Sequence, residues 1–343
     1  MNKASIRAFL EAFAVGDAYG KATEQCTRQE IEARYARVDD LLRPEESLTH
    51  EDLFHGQVTD DTEQVVYLAR EYARRGRITP YDTAMCLLRW VNETDAAGKY
   101  MGASSLNALR AIAAGADVTT TGVNGITCGG IMRVPAAFFF SREDDLVRNV
   151  VSCLMPTHYT SVAIEAAMCY AFALQAAARG GDVQAILDAA CEGAQIGKGY
   201  GAHKRVAAAA PSCAARIRFL GKVIPAMGSN QAVKEFLYDV IGSTQASWDC
   251  CACAFALFIW ARDDVRLAIR LATEMGGDTD TIACLAAGLC TMYAGGHNLP
   301  EAMVRLVSEA NHLDFAALAG MIADARAAWE GASEPCACQP QPT

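Results

Sequence analysis

Apolar residues recur at spacings of three and four along almost the whole chain, which is the pattern of helices with one buried face. The first example runs through Ile6, Phe9, Leu10 and Phe13. The same pattern predicts further helices at about 27–37, 62–75, 80–92, 104–114, 143–153, 160–179, 182–196, 203–220, 230–241, 245–262, 263–275, 281–294, 299–311 and 313–330.

Turn and cap signals support a fully helical protein. Thr27 with Glu30 forms a capping box, which predicts a helix start at that point. The segment "AAFFF" at 136–140 is the nearest candidate for a strand, but we expect a buried helical turn there. No fixed repeat of roughly 30–45 residues occurs, which argues against a solenoid. We therefore expect one compact all-α domain at 1–330 and a disordered tail at 331–343.

Composition and charge narrow the function classes. The chain has 343 residues, 52% of them hydrophobic, and a net charge of −10, which disfavours non-specific binding to nucleic acid. The apolar stretch at 252–261 is shorter than the roughly 20 residues that span a bilayer, so no membrane partner is expected. The N-terminus resembles an ordinary helix rather than a signal peptide. The 14 cysteines are therefore interpreted as reduced thiols of a cytoplasmic protein.

Two acidic segments, "VTDDTEQ" at 58–64 and "GGDTDTIA" at 276–283, precede apolar helices. Helix capping is one interpretation, by Asp60 at the first and by Asp280 or Thr281 at the second. A cap needs only one oxygen, however, and the additional carboxylates repel one another at the edge of the core. Two divalent cations would neutralise Asp60, Asp61, Asp278 and Asp280. Oxygen ligands suit Mg²⁺ or Mn²⁺, and Ca²⁺ less exclusively.

Five segments in order resemble the ADP-ribosylglycohydrolases, the family that includes the dinitrogenase reductase-activating glycohydrolase. They are "GDAYGKATE" at 16–24, "TDDT" at 59–62, "CGGIMRVP" at 128–135, "MPTHYTSVAIEA" at 155–166 and "GGDTDTIA" at 276–283. The resemblance implies an orthogonal helical bundle with a central cleft that holds two Mg²⁺, or Mn²⁺ in some members. The metal ligands it implies are Thr59, Asp60, Asp61, Asp278, Asp280 and Thr281.

The resemblance also implies an activity. Such enzymes hydrolyse the bond at the anomeric carbon of the distal ribose of ADP-ribose, often on a protein side chain. We expect the partners to be ADP-ribose and a protein carrying mono-ADP-ribose, with arginine as the modified residue. Asp61 or Asp280 is the expected base, and Glu24 is expected near the ribose. The alternative for Glu24 is a solvated charge at a helix end.

The resemblance places further residues against the substrate. The glycine-rich loop at 122–130 is expected to offer backbone N–H groups to the diphosphate, and Cys128 stands where the family often has Asn. Asp17 is expected to support the metal site, for example by holding Arg133. The expected substrate-binding residues are Asn124, Gly125, Cys128, Gly129, Gly130 and His158.

Two other functions remain open at the level of sequence. The same metal motifs would serve a hydrolase of another ADP-ribosyl linkage, to serine, a nucleobase or an O-acyl ester. A non-catalytic protein that binds ADP-ribose or a partner, such as an immunity protein, is the second alternative. Both acidic motifs are intact, which weighs against the non-catalytic function.

Overall fold

The structure, a computed structural model, describes residues 1–200 and 206–331. The all-α prediction is confirmed: the described residues form helices and no strand, with one isolated antiparallel bridge between Thr127 and Ala246. The helices are α1 Lys3–Gly20, α2 Arg28–Arg34, α3 Asp60–Arg75, α4 Pro80–Glu93, α5 Ala96–Lys99, α6 Ala103–Ala113, α7 Val134–Phe139, α8 Leu146–Leu154, α9 Ser161–Ala178, α10 Val183–Gly199, α11 Cys213–Val223, α12 Asn230–Phe236, α13 Ser247–Ala261, α14 Val265–Met275, α15 Thr279–Ala294, α16 Glu301–Ala310 and α17 Phe315–Gly331.

Local signals predicted several helix ends well. Thr27 and Glu30 form the expected capping box at the start of α2. The "AAFFF" segment lies largely in α7, a buried helical turn as predicted. The helix predicted over 230–241 is α-helical to Phe236 and continues as a π-helix, Leu237–Ile241.

The helix predicted over 203–220 begins later than expected. Residues 206–212 are not helical, and α11 starts at Cys213. Ser212 caps it by accepting a hydrogen bond from the N–H of Ala215, and Pro211 restricts the residue before it. Residues 201–205 lie outside the described residues. The same holds for the predicted tail, except that residue 331 ends α17.

Helix α9 is buried in the interior. By length and composition it could cross a membrane, but 78% of its apolar window is buried inside the protein. Tyr170, on this helix, donates a hydrogen bond to the carbonyl of Leu285 on α15 at 2.9 Å. These contacts are those of a core helix.

Helices α1 and α15 approach each other at small residues. A Cβ atom added at Gly20 would lie 2.4 Å from the carbonyl oxygen of Thr279 and 2.5 Å from the Cα of Asp280. Only glycine permits this approach. The contact brings the end of α1, which carries Asp17, against the start of α15, which carries Asp280.

We expect Gly16→Ala to destabilise the protein, because its Cβ would lie 2.9 Å from the carbonyl oxygen of Ala283 and 2.8 Å from the Cα of Cys284. Overpacking should lower the free energy of unfolding by about 1–3 kcal/mol. Helix propensity alone would instead raise the free energy of unfolding of Gly16→Ala by about 1 kcal/mol. Gly199→Ala on α10 is the matched control, because no atom of the described residues lies within 4 Å of its added Cβ. Urea unfolding would contradict the packing account if both variants were equally stable.

Candidate metal centre

The two acidic segments meet in the folded protein. Thr281 Oγ1 donates a hydrogen bond to Asp61 Oδ2 at 3.3 Å, across 220 residues of sequence. Cys284, one turn after Asp280 on α15, donates from its Sγ to Asp61 Oδ1 at 3.2 Å. The start of α3 and the start of α15 therefore form one site.

Asp17, from α1, caps α3. Its Oδ1 accepts hydrogen bonds from the N–H of Thr59 at 3.0 Å and from Thr59 Oγ1 at 2.7 Å, and its Oδ2 accepts from the N–H of Thr62 at 3.0 Å. The expectation that Asp17 holds Arg133 is wrong, since Arg133 donates to Thr157 Oγ1. Asp17 satisfies the orphan donors of the helix start, so Asp60 is not needed for this purpose.

The capping interpretation of the acidic segments accounts for little. Thr59 is the N-cap of α3 and Asp278 that of α15, and neither side chain makes a capping bond. Glu63 accepts instead from Trp90 Nε1 at 2.8 Å. Asp280 does bond a backbone donor at the start of its own helix, because its Oδ1 accepts a hydrogen bond from the N–H of Thr281 at 2.8 Å.

Two groups of buried carboxylates overlap at Asp280. One oxygen each from Asp17, Asp61 and Asp280 lie within 4.8 Å of one another, and the same holds for Glu24, Asp278 and Asp280. A carboxylate shared by two such groups can bridge two cations, which in binuclear sites lie about 3.5–4 Å apart. Five carboxylates are thus arranged as two adjoining ligand sets.

The five carboxylates are crowded, and among the described residues only Glu24 has a basic side chain within ion-pair distance, that of His50. Burial raises the pKa of Asp61, Asp278 and Asp280 well above the ordinary value, and neighbouring charges raise it further, including that of Asp17 on Asp61 and Glu24 on Asp280. Among the described residues, no Lys, Arg or His nitrogen lies within 4.0 Å of the carboxylate oxygens of these three residues or of Asp17. The all-oxygen donor set and its uncompensated charge fit divalent hard cations.

The other predicted ligands lie at the edge of this cluster. The half-buried Asp60 is outside both groups, and its Oδ2 accepts from Gln64 Nε2 at 3.3 Å. Its pKa is raised by burial and by the charge of Asp61. Thr59 and Thr281 are buried, and their hydroxyls donate to Asp17 and Asp61. Both threonines therefore orient carboxylates in this structure.

Glu24 is buried beside the cluster, so its interpretation as a solvated charge is wrong. Its Oε2 lies 2.6 Å from Nε2 of His50, and Gln245 donates to its Oε1 at 3.4 Å. Burial alone would raise the pKa of Glu24, but the hydrogen bond and charge of His50 bring it below its ordinary value. Glu24 is thus held as an anion. No sequence pattern pointed to His50, which lies in the loop before α3.

The glycine-rich loop wraps around His158. A Cβ added at Gly129 would lie 2.8 Å from the buried His158 ring, so a larger residue here would displace that ring. Arg133 can only donate, so its contact of 3.2 Å makes His158 Nδ1 an acceptor, and Nε2 then donates to Thr127 Oγ1 at 2.9 Å. Burial and the Arg133 charge hold the pKa of His158 well below its ordinary value. His158 is buried beneath the glycine-rich loop and supports it. Direct contact between His158 and a ligand would require the loop to open.

The remaining predicted binding residues of the loop differ in their exposure to solvent. Asn124 is exposed and Cys128 is half-buried, whereas Gly125, Gly129 and Gly130 are buried. The N–H groups of Gly129 and Gly130 have no acceptor among the described residues. The loop therefore keeps backbone donors next to an acidic centre.

Three thiol contacts were not predicted, one of them the contact of Cys284 with Asp61 described above. Cys250 Sγ donates to Asp278 Oδ2 at 2.9 Å, and Thr281 Oγ1 lies 3.7 Å from Cys128 Sγ. The Cys284 contact could have been found, because residues four apart on a helix share a face with Asp280. The Cys250 contact depends on tertiary packing between α13 and α15, which periodicity does not reveal.

Two proteins match most of this chain in sequence. It is 30% identical over 308 residues to "Uncharacterized protein YegU" of Escherichia coli (strain K12), covering 88% of this chain and 91% of that protein. It is 29% identical over 290 residues to an "Uncharacterized protein" of Archaeoglobus fulgidus, covering 84% and 86%.

A solved structure and a family model also match nearly the whole chain. The structure of an "ADP-ribosylglycohydrolase-related protein complex" superimposes with a TM-score of 0.70 at 23% identity, covering 94% of this chain and 98% of that one. This likeness shows the shared fold. The model of the family described as ADP-ribosylglycohydrolase matches residues 2–332. The chain therefore belongs to the ADP-ribosylglycohydrolase family.

Proposed function

We propose that this protein is a Mg²⁺-dependent hydrolase that removes mono-ADP-ribose from a modified protein side chain, with arginine as the first candidate. The bond hydrolysed is that at the anomeric carbon of the distal ribose. The observation that carries the proposal is the sharing of Asp280 between two groups of buried carboxylates. Two bound divalent cations would supply Lewis acidity and would orient a water molecule and the ribose hydroxyls.

The chain's own carboxylates suit the cleavage of a glycosidic bond. Such bonds break through a state with positive charge at the anomeric carbon, which nearby anions stabilise. Glu24 suits this role because His50 keeps it ionised. Asp61 is oriented by Thr281 and Cys284, so it suits the acceptance of a proton at its carboxylate oxygen, as does Asp280.

The loop at 122–130 supports binding of the diphosphate. A protein with a net charge of −10 repels anions, so it needs local donors to hold them. The unpartnered N–H groups of Gly129 and Gly130 are such donors, and successive backbone N–H groups bind anions in many proteins. Asn124 and Cys128 lie on the accessible side of the same loop.

Arginine is favoured as the modified residue by the charge beside the carboxylate cluster. Glu24 is held there as an anion by His50. A guanidinium group is cationic, whereas serine and O-acyl linkages are neutral. An anion at this position attracts the arginine adduct more strongly than those neutral adducts.

We expect the wild-type protein to release free ADP-ribose from ADP-ribosylated arginine in Mg²⁺ and to stop in EDTA. The Asp60→Ala, Asp278→Ala double variant should be at least about a hundred-fold slower, because metal ions contribute several kcal/mol to such reactions. A panel that also holds serine, nucleic-acid and O-acyl adducts identifies the linkage. Full activity of the double variant would contradict the proposed metal centre.

Glu24→Gln tests the role of the anion without changing its size. We expect kcat to fall about a hundred-fold, the usual scale for one electrostatic group, with little change in KM. Glu32→Gln, at an exposed position on α2, is the matched control and should behave as wild type. An unchanged kcat for Glu24→Gln would remove Glu24 from the catalytic residues.

The effect of Mg²⁺ on stability should depend on pH. Without metal, the raised pKa values of Asp61, Asp278 and Asp280 make the folded state bind more protons than the unfolded state, whose aspartates titrate near about 3.9. Stability therefore falls as the pH rises from about 4 through the raised pKa values. Bound Mg²⁺ opposes this loss, so its stabilisation should grow over the same range.

Thermal midpoints in Mg²⁺ and in EDTA, measured across that pH range, check this expectation. Asp278→Asn should reduce the difference between the thermal midpoints in Mg²⁺ and in EDTA, because it removes one negative charge and one ligand. A Mg²⁺ stabilisation that stayed constant with pH would contradict the account of crowded carboxylates.

A further inference from the structure

A second cluster of ligand-type side chains lies in the core, apart from the carboxylates. The thiols of Cys169 on α9, Cys213 on α11 and Cys251 on α13 converge so that their sulfur atoms all lie within 4.8 Å of one another. All three residues are at most 2% exposed. The family resemblance and the proposed function give these cysteines no role.

The spacing suits a trigonal metal site. A thiolate lies about 2.3 Å from a bound zinc ion, so three sulfurs in a plane around such an ion are about 4.0 Å apart. The observed spacing of at most 4.8 Å therefore needs less than about 1 Å of closure. Side-chain rotation of three cysteines on neighbouring helices can supply a movement of this size.

The donor atoms separate this cluster from the carboxylate centre. Sulfur ligands select soft cations, whereas the oxygen ligands of the aspartates select hard ones. Glu165 is close by but already engaged, since its Oε1 accepts from the N–H of Cys213 at 2.8 Å and from Ser212 Oγ at 3.3 Å. We propose that Cys169, Cys213 and Cys251 form a structural site for one soft d¹⁰ cation of the Zn²⁺, Cd²⁺ and Cu⁺ class.

The fold offers a route to this site and a reason for it. Cys213 is the first residue of α11, and most of the segment at 207–212 before it is exposed, so local opening of this segment admits an ion. A bound ion would tie the start of α11 to α9 and α13. Without an ion, the three cysteines act only as small apolar side chains of the core.

Cadmium titration of the reduced protein in excess Mg²⁺ tests the proposal. Sulfur-to-cadmium charge-transfer absorbance arises only from cadmium bound to thiolates, so it reports the cysteines and not the carboxylates. We expect the absorbance to saturate at one Cd²⁺ per chain and the thermal midpoint to rise, because the ion binds the folded state. Displacement by Zn²⁺ or Cu⁺ identifies the preferred ion.

Variants assign the signal to the three cysteines. Cys213→Ser and Cys251→Ser should each weaken Cd²⁺ binding at least about tenfold, as losses near metal sites do. Two controls should keep it: Cys191→Ser, a buried cysteine on α10, and Cys128→Ala with Cys250→Ala, the thiols beside Asp278. Loss of the signal only in the Cys128, Cys250 control, or no signal in wild type, would overturn the proposal.

X-ray absorption of the cadmium-loaded wild type covers the case in which a variant fails to fold. A first shell of three sulfur atoms supports the site. A shell dominated by oxygen or nitrogen overturns it. Neither result depends on hydrolase activity, so this proposal can fail while the proposed function stands.

Discussion

Repulsion among buried carboxylates determines how the helix ends around Asp61, Asp278 and Asp280 must be arranged. Asp61, Asp278 and Asp280 are buried, have raised pKa values and lack a cationic partner among the described residues. Such an arrangement is costly unless positive charge is supplied. Asp17 is part of the same cluster, yet it also caps α3 and so fixes the position of the helix that carries Asp61. Asp17 therefore belongs both to the scaffold and to the carboxylate cluster.

Close packing of small residues gives this cluster its geometry. Gly20 on α1 touches the backbone of Thr279 and Asp280 on α15, so the two helix ends cannot move apart independently. On the opposite side, the glycine-rich loop is held by His158, whose neutral ring is fixed by Arg133. Rigid elements on both sides therefore fix the positions of the carboxylate side chains. Fixed positions of this kind are what enzymes use to orient reacting groups.

The sequence predicted the fold class, because helical periodicity is strong along the chain. It also predicted that the two acidic segments meet, because a shared pair of cations explains the excess carboxylates in both. It did not predict that Asp17 caps α3 or that His50 holds Glu24, since both contacts join segments that local patterns cannot connect. The late start of α11 follows from Ser212 and Pro211, which outweighed the helix propensity of the alanines before them. Asp60, which was also predicted as a ligand, lies outside both groups of converging carboxylates, because adjacent residues on a helix point in different directions.

The proposed metal centre would hold two cations, with Asp280 shared between the two groups of carboxylates that would bind them. Electron paramagnetic resonance of the Mn²⁺-loaded protein tests this arrangement, because two Mn²⁺ ions about 3.5–4 Å apart interact magnetically. We expect the spectrum of a coupled pair at two Mn²⁺ per chain, replaced by that of an isolated ion in Asp280→Ala. The spectrum of isolated Mn²⁺ in the wild-type protein, or no bound Mn²⁺, would contradict it.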